Sequence, residues 1–266
     1  MKEITCGRLL SGLETLKKTA VIEIHNPSAR NALSGKMMAE LADIVAVLEV
    51  LEVCNKLNTV MIKGTGGWFC AGADLRVVEQ ELGSSDAGAV MGILMVDTLT
   101  RFRRLPLVSV AYIEDGAFGG GAELAIACDF RIIDSDAVIQ FVQARMGVVP
   151  GWGGGARLYK VVGRQNALRL LCTAEKLSPE RGLKIELVDE IFSARGKESS
   201  YESVVCFLAD FEEIAPAVSH GTKRVINNAD EVSLDSVLAY EHDVFKTLWG
   251  GPANLEALQT ALTKKK

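Results

Sequence analysis

The sequence lacks several features that would place it in a large class of proteins. None of its apolar runs approaches the roughly 18 residues of a membrane-spanning helix, and residues 1–12 lack the apolar core of a secretory signal. The longest run of basic residues, 264–266, is typical of a solvated tail. With a net charge of −5, this distribution disfavours nucleic acid as the main partner.

Cysteine and histidine are sparse, and neither is spaced for metal binding. The histidines lie far apart in the chain, and the cysteines form no CxxC pair. This spacing argues against a metal centre and a disulfide framework, so we expect buried thiols in a reducing compartment, by default the cytosol. The residues are His25, His220 and His242, and Cys6, Cys54, Cys70, Cys128, Cys172 and Cys206.

The composition is that of a globular protein with one large domain, with or without an appendage, because 48% of the residues are hydrophobic and 24% are charged. Up to about residue 190, short runs with strand character alternate with segments whose apolar residues recur at helical spacing. This alternation predicts an α/β domain of repeated strand–helix units. The predicted strands are 20–27, 59–64, 107–113, 130–134 and 137–142, and the predicted helices are 36–53, 86–104 and 123–128.

The strand signal ends at about residue 195, and helical patterns follow. Helices are predicted over 198–214 and 233–249, with another restarting at Pro216 and a turn at 249–252 leading into the last one. We therefore predict an α/β core over residues 1–195, followed by a helical region over 196–266.

Three glycine-rich segments, at 64–75, 117–124 and 148–158, are candidates for a functional site. The simplest interpretation of each is a tight turn or a close packing contact. A phosphate-binding loop needs GxxxxGK followed by Ser or Thr, or GxGxxG after the first strand. The sequence contains no such GxxxxGK run, and the third glycine of GxGxxG is absent after residues 119–121.

The segment 117–128 places glycines directly before helix-forming residues, which favours a different use of its backbone. An N–H group in the first turn of a helix has no partner within the helix and lies at the positive end of the helix dipole. Such a group can donate to a carbonyl oxygen that becomes an oxyanion, and a second donor from FCAGAD, residues 69–74, would complete the pair.

Four motifs occur in the order and spacing of one known superfamily. They are HNPSARNALS (25–34), FCAGADL (69–75), GAFGGGAELAIACDFRI (116–132) and GVVPGWGGGARL (147–158). Over roughly residues 15–190 the sequence resembles the crotonase, or enoyl-CoA hydratase/isomerase, superfamily. The resemblance implies a spiral of repeated ββα units and a C-terminal helical region that forms homotrimers or hexamers. It also implies an acyl-CoA substrate, with CoA as part of that substrate and no further cofactor.

The resemblance assigns roles to individual residues. The two oxyanion-hole donors are the backbone N–H groups of Ala73 and Gly120, which hold the thioester oxygen of the substrate. The residues expected along the CoA moiety are Arg30, Ala32, Ala71, Asp74 and Leu75.

Hydration of a double bond needs two carboxylates, one to activate water and one to deliver the proton. Glu123 matches the first, and the family pattern F-x-x-P-E-x-x-x-G-x-x-P places the second. Here the segment 141–150 is two residues shorter, and Ala144 and Arg145 stand where the pattern has Pro-Glu. Because residues 137–174 contain no Asp or Glu, the sequence disfavours hydration whatever the alignment.

Loss of CO2 from a malonyl-type thioester has fewer requirements. The electron pair moves onto the thioester oxygen as an enolate, the oxyanion hole stabilises that charge, and one carboxyl group supplies a proton to the α-carbon. We predict that Glu123 supplies this proton or crowds the departing carboxylate, and that burial raises its pKa. The alternative is a structural glutamate that caps the start of its helix.

The sequence also resembles one decarboxylating branch of the superfamily, through ACDFRI (127–132), the run at 146–154 and WGGPANLEAL (249–258). That branch implies a branched malonyl-type CoA thioester as substrate, ethylmalonyl-CoA or methylmalonyl-CoA, and a metabolite-proofreading role. Relatives in the branch carry an acid where this chain has Arg145. We expect Arg145 to be a surface or CoA-facing residue.

Two further residues and two further functions are left open. Trp152 either forms a wall of the acyl pocket or packs beneath it, and Cys70 is a weak candidate nucleophile because the sequence places no histidine near it. An enoyl-CoA hydratase or isomerase of fatty-acid metabolism is disfavoured by the missing second acid. A non-catalytic acyl-CoA-binding protein is disfavoured by the presence of Glu123 and both glycine-rich turns.

Overall fold

The computed structural model describes residues 7–11, 16–76, 79, 84–192 and 197–263; Cys6 and residues 264–266 lie outside this part of the chain. The described strands are β1 (Gly7–Ser11), β2 (Thr19–Ile24), β3 (Thr59–Gly64), β4 (Val108–Ile113), β5 (Gly116–Phe118), β6 (Phe130–Asp134), β7 (Val138–Gln140) and β8 (Glu190–Phe192). Six of them form one sheet in the order β1-β2-β3-β4-β6-β8. In that sheet β1 is antiparallel to β2, and the other neighbouring pairs are parallel.

A smaller layer lies beyond the ends of these strands. It contains the parallel pair β5–β7 and three isolated bridges, which join Leu33 to Ala73, Cys70 to Ala117, and Ile139 to Leu177. Successive stretches of chain therefore add one strand to the large sheet, then a short strand or bridge to the small layer, and then a helix. The predicted spiral of ββα units is confirmed.

The helices follow the predicted alternation, with four differences. The helix predicted over 36–53 ends at Leu48 and a separate turn of helix follows, and the helix predicted over 123–128 spans Gly120–Ala125 instead. The helices Gly154–Thr173 and Pro179–Lys184 were not predicted. The described helices are α1 (Gly35–Leu48), α2 (Leu51–Cys54), α3 (Ser85–Arg104), α4 (Gly120–Ala125), α5 (Gly154–Thr173), α6 (Pro179–Lys184), α7 (Lys197–Glu212), α8 (Pro216–Ala229), α9 (Leu234–Leu248) and α10 (Pro252–Thr263), with short 3-10 helices at Pro27–Ala29 and Val142–Met146.

The core lies on both faces of the large sheet. Five of the six residues in β2 and five of the six in β3 are buried, as expected for parallel strands covered on both sides. One cluster packs α1, α3 and α4 against the sheet, and Phe69, Phe102 and Phe141 are among its largest fully buried side chains. This packing fixes the ends of the strands, where the glycine-rich turns lie.

The helices after residue 196 expose many apolar side chains. Leu234, Trp249 and Leu262 are each about two-thirds exposed. The predicted boundary between residues 195 and 196 lies outside the described residues and stays a prediction. No described helix is both long and apolar enough to cross a membrane.

The expectation of buried thiols is wrong for two of the five described cysteines. Cys54, Cys70 and Cys128 are buried, but Cys172 and Cys206 are exposed because each lies on the outer face of a helix.

Candidate active site

One cavity of about 620 Å3 opens at the carboxyl ends of the central strands. Its walls are the turn at 71–75, the start of α3, the start of α4 and the segment 142–152. Among the described residues that line it, Glu123 is the one ionisable side chain. The lining residues are Ala71, Ala73, Leu75, Ser84, Ser85, Gly88, Met91, Gly119, Gly120, Glu123, Val142, Gln143, Met146, Val148, Val149, Gly151 and Trp152.

The two predicted oxyanion donors both line this cavity. Gly120 is the first residue of α4, and its N–H has no acceptor among the described residues; the same is true of the Ala73 N–H. Backbone hydrogen bonds hold the two turns side by side, since the Phe118 N–H donates to the Cys70 carbonyl at 2.9 Å and the Cys70 N–H donates to the Gly116 carbonyl at 3.2 Å. Two free N–H groups on adjoining rigid turns suit a developing oxyanion.

Two glycines are required for this close approach. Gly72 has φ +94°, and a Cβ there would lie 2.9 Å from the Gly120 nitrogen and 2.8 Å from the Phe118 oxygen. A Cβ at Gly121 would lie 2.1 Å from the carbonyl oxygen of Cys70. A side chain at either position would force the two donor turns apart, so these glycines build the donor pair.

Glu123 points away from its own helix and into the junction with α5. It is 2% exposed, and its Oε2 accepts the N–H groups of Trp152 and Gly154, each at 2.8 Å. Its Oε1 accepts Nε2–H of Gln143 at 2.8 Å. Burial raises the pKa of Glu123, although these three donors, and more weakly the Gly151 N–H, act to lower it.

The structural role of Glu123 differs from the predicted alternative, in which it caps the start of its own helix. The side chain makes no capping bond at the start of α4, but Gly154 is the first residue of α5, so Glu123 holds the start of the next helix. A Cβ at Gly154 would lie 2.6 Å from Oε2, which explains the glycine. The carboxyl group therefore has a structural role, while Glu123 also lines the cavity.

Gln143, which the sequence analysis did not single out, is the side chain in contact with the carboxyl group. The 3-10 helix Val142–Met146 turns it inward at 8% exposure, whereas Arg145 on the same helix is exposed and donates to the Ala174 carbonyl at 3.2 Å. The sequence feature that indicates Gln143 is its position: it is a polar residue two positions after the buried Phe141, in a segment shorter than the family pattern.

Trp152 lies between the cavity and the start of α4, and its role as a wall of the acyl pocket stays a prediction. It lines the cavity, and its ring packs on Gly120, where a Cβ would lie 2.3 Å from the ring. Arg157 supports the same loop, because it donates to the Trp152 carbonyl at 2.6 Å and to Thr100 Oγ1 at 3.0 Å. Burial lowers the pKa of this guanidinium.

The residues predicted along CoA are divided between two places. Ala71 and Leu75 line the cavity. Arg30 stacks over the ring of Trp68 at 4.8 Å, Ala32 is buried, and Asp74 is hydrogen-bonded to Arg76, so none of these three lines it. The CoA contacts themselves stay predictions.

The remaining candidates do not join the site. Burial raises the pKa of the Cys70 thiol to about 12, which makes it a poor nucleophile. His25 contacts Thr65 and His220 contacts the Leu57 carbonyl, and His242 is exposed. Within the described ranges, no group of three or more Cys, His, Asp and Glu is placed to hold a metal ion.

Solved structures share this architecture. An enoyl-CoA hydratase from Bacillus anthracis matches with a TM-score of 0.85 at 25% identity, covering 94% of this chain and 93% of that chain. An enoyl-CoA hydratase from Polaromonas sp. JS666 matches with a TM-score of 0.86 at 26% identity, covering 97% of each chain. The fold, with a cavity at its paired glycine turns, defines a protein of the crotonase class.

The chain belongs to the enoyl-CoA hydratase/isomerase family, whose sequence profile matches residues 14–259. Curated relatives have a more specific name, ethylmalonyl-CoA decarboxylase. The protein of that name from Danio rerio is 46% identical over 241 residues, which cover 90% of this chain and 78% of the relative. The one from Mus musculus is 40% identical over 249 residues, which cover 92% and 76%. The resemblance to the superfamily and to its decarboxylating branch is confirmed.

Proposed function

We propose that this protein removes CO2 from a branched malonyl-type CoA thioester, with ethylmalonyl-CoA first and methylmalonyl-CoA second as candidate substrates. The product is the corresponding acyl-CoA, and the role is the disposal of a malonyl-type side product. The observation that carries the proposal is the single ionisable side chain, Glu123, in the described lining of a mostly apolar cavity. Hydration needs two carboxylates, whereas decarboxylation needs one acid and an oxyanion hole.

The proposed reaction begins when the thioester oxygen accepts hydrogen bonds from the backbone N–H groups of Ala73 and Gly120. The bond between the α-carbon and the carboxylate breaks, CO2 leaves, and the electron pair forms an enolate whose oxygen lies between the two donors. Protonated Glu123 then transfers its proton to the α-carbon, and the resulting carboxylate regains a proton from solvent. Because burial raises the pKa of Glu123, the acid form persists at higher pH than for an exposed glutamate.

The apolar walls favour the same outcome. Among the described residues that line the cavity, the side-chain donors are those of Ser84, Ser85, Gln143 and Trp152, and most of the remaining lining is apolar. A substrate carboxylate that is poorly solvated in the ground state loses its charge as CO2 departs, so burial in this cavity assists the bond cleavage.

Assembly, cofactor use and compartment belong to the same proposal. The apolar side chains exposed on α9 and α10 suit a homotrimer or hexamer built through the helical region. CoA enters as part of the substrate, no further cofactor takes part, and the cytosol is the proposed compartment.

Purified protein incubated separately with ethylmalonyl-CoA, methylmalonyl-CoA and crotonyl-CoA tests the proposal. We expect CO2 and the shortened acyl-CoA from the first two and no water addition to the third. Water addition to crotonyl-CoA without CO2 release would instead identify a hydratase, and binding of all three without turnover would identify a non-catalytic acyl-CoA-binding protein.

A further inference from the structure

Gln143 is the partner of Glu123 that the proposed mechanism has not used. It is 8% exposed, it lines the cavity, and its Nε2 donates to Glu123 Oε1 at 2.8 Å. The amide is assigned with its nitrogen toward Glu123, because the carboxylate left after each proton transfer accepts its N–H, whereas an amide oxygen there would repel that carboxylate. Any role of Gln143 in the reaction rests on the proposed decarboxylation.

The other contacts of Glu123 determine where its proton can reside. A carboxylate has two oxygens with about two acceptor sites each. On Oε2 both sites are filled by the backbone N–H groups of Trp152 and Gly154, which are fixed by the start of α5. A proton on Oε2 would face two donors, so the acid form carries its proton on Oε1.

On Oε1 the hydrogen-bond donor among the described residues is Gln143 Nε2, which fills one of the two sites. The Gly151 N–H also acts on the carboxyl group, but more weakly than these three donors. We propose that Gln143 is a positioning residue: it holds Oε1 so that its one remaining site carries the proton, and thereby fixes which face of the enolate is protonated. The α-carbon of the product then gains its new hydrogen from a single direction.

Packing alone does not account for a glutamine at this position. The Oε1 atom of Gln143 is buried and has no hydrogen-bond partner among the described residues. A buried acceptor without a partner destabilises the fold, and leucine, of similar size, would remove that group. A residue kept only for packing would be predicted to be apolar here, because Phe141 beside it and the facing Trp152 are buried.

The variant Gln143→Leu separates positioning from folding. Gln140→Leu is the matched control, because Gln140 is also buried, donates to the Ala174 carbonyl at 2.7 Å, and is absent from the described lining of the cavity. Both variants and the wild type decarboxylate ethylmalonyl-CoA in D2O. The butyryl group of the product is then released and esterified with a chiral alcohol, so that NMR resolves the two α-positions and locates the deuterium.

For the wild type and Gln140→Leu we expect deuterium at one of the two α-positions. For Gln143→Leu we expect deuterium at both, a kcat lower by about 10- to 100-fold, a KM within about 3-fold of the wild type and an unchanged melting temperature. In Gln143→Leu we also expect the fall of kcat at high pH to occur at a higher pH than in the wild type. The reason is that the ionised form of Glu123 loses a hydrogen-bond donor, which raises the pKa of Glu123. Arg157, on α5, interacts electrostatically with Glu123, and it is the same in all three proteins.

The outcomes distinguish the two proposals. Absence of CO2 from the wild type overturns the decarboxylation and the role of Gln143 with it. Decarboxylation by the wild type, with kcat, its fall at high pH and the deuterium position unchanged in Gln143→Leu, overturns the role of Gln143 alone. Deuterium at both positions in the wild-type product also overturns it.

Discussion

The two halves of the proposed active site, its oxyanion donors and its acid, are built in different ways. The donor half consists of backbone N–H groups at Ala73 and Gly120, set by glycines that let two turns touch. The acid half consists of one side chain, Glu123, held by donors from two other segments, the 3-10 helix with Gln143 and the loop before α5. The first half depends on local backbone geometry, and the second depends on tertiary packing.

The largest expected effect comes from the acid half. Glu123→Gln keeps the shape and the acceptor oxygen that the N–H groups of Trp152 and Gly154 need, but it removes the transferable proton. We expect kcat for ethylmalonyl-CoA to fall by about 10²- to 10⁴-fold with little change in binding of the CoA ester. Steady-state kinetics and calorimetric binding measure the two effects.

The control for that variant is Glu180→Gln, at the exposed start of α6, which should leave kcat unchanged. Wild-type turnover in Glu123→Gln would remove Glu123 from the chemistry and leave it the structural role of holding α5.

The donor half is broken by Gly72→Ala. The new Cβ would press on the Gly120 nitrogen, so we expect kcat to fall by about 10²- to 10³-fold, as when one oxyanion donor is lost. Gly67→Ala is the matched control, because Gly67 also has positive φ (+82°) but a Cβ there would have no other atom within 4 Å. Both variants carry the cost of a side chain at positive φ, about 1–2 kcal/mol, and Gly72→Ala alone adds the contact with the Gly120 nitrogen. Equal activity losses in the two variants would therefore contradict the donor role.

A smaller effect is expected from a change at Arg157, which holds the loop that contacts Glu123. Arg157→Met removes the bond to the Trp152 carbonyl and loosens the loop whose N–H groups hold Glu123. We expect kcat to fall by about 10-fold, since misplacement of a catalytic group is costly even when the group remains.

The comparison for Arg157 is Arg169→Met on the same helix, where an exposed ion pair with Glu175 is lost. Exposed pairs contribute about 0–1 kcal/mol, so its kcat should stay at the wild-type value. If the two arginine variants behave alike, the loop does not position the acid.

The smallest effect is expected at Arg145. Arg145→Glu places an acid where both the hydratase pattern and the relatives in the decarboxylating branch have one, but Arg145 is exposed and absent from the described lining of the cavity. Decarboxylation should change by no more than about 2-fold, and crotonyl-CoA should still gain no water. Hydration of crotonyl-CoA is measured as loss of the absorbance of the enoyl thioester. Hydration by this variant would show that an acid at position 145 takes part in the reaction although the side chain at this position is exposed.

The same contrast explains what the sequence could predict. The glycine turn that carries the proposed donor Gly120 was predictable because a glycine run before a helix is a local signal, and the strands at 59–64 and 130–134 match the structure to the residue. The strand predicted over 20–27 ends at Ile24, because the 3-10 helix that contains Pro27 follows.

The acid half was predictable only in its central residue. Two donors to Glu123 are backbone N–H groups, which no side-chain type in the sequence indicates. The third is Gln143, which lies in a segment two residues shorter than the family pattern, so that the pattern does not align a role with it. Helix α5 was not predicted because its first residues are glycines and Gly163 interrupts it with φ 72°. The donors that hold Glu123 are contacts between segments distant in the chain, and such contacts are not visible in the local sequence pattern.

One competition experiment tests the central claim, that a single acid beside two oxyanion donors decarboxylates and does not hydrate. Wild-type protein receives ethylmalonyl-CoA labelled with 13C in the free carboxylate together with an equal amount of crotonyl-CoA, and both are followed by NMR in one tube. The account predicts labelled CO2 and butyryl-CoA while crotonyl-CoA remains unchanged. Conversion of crotonyl-CoA to the 3-hydroxyacyl thioester, with the label retained in ethylmalonyl-CoA, would contradict it.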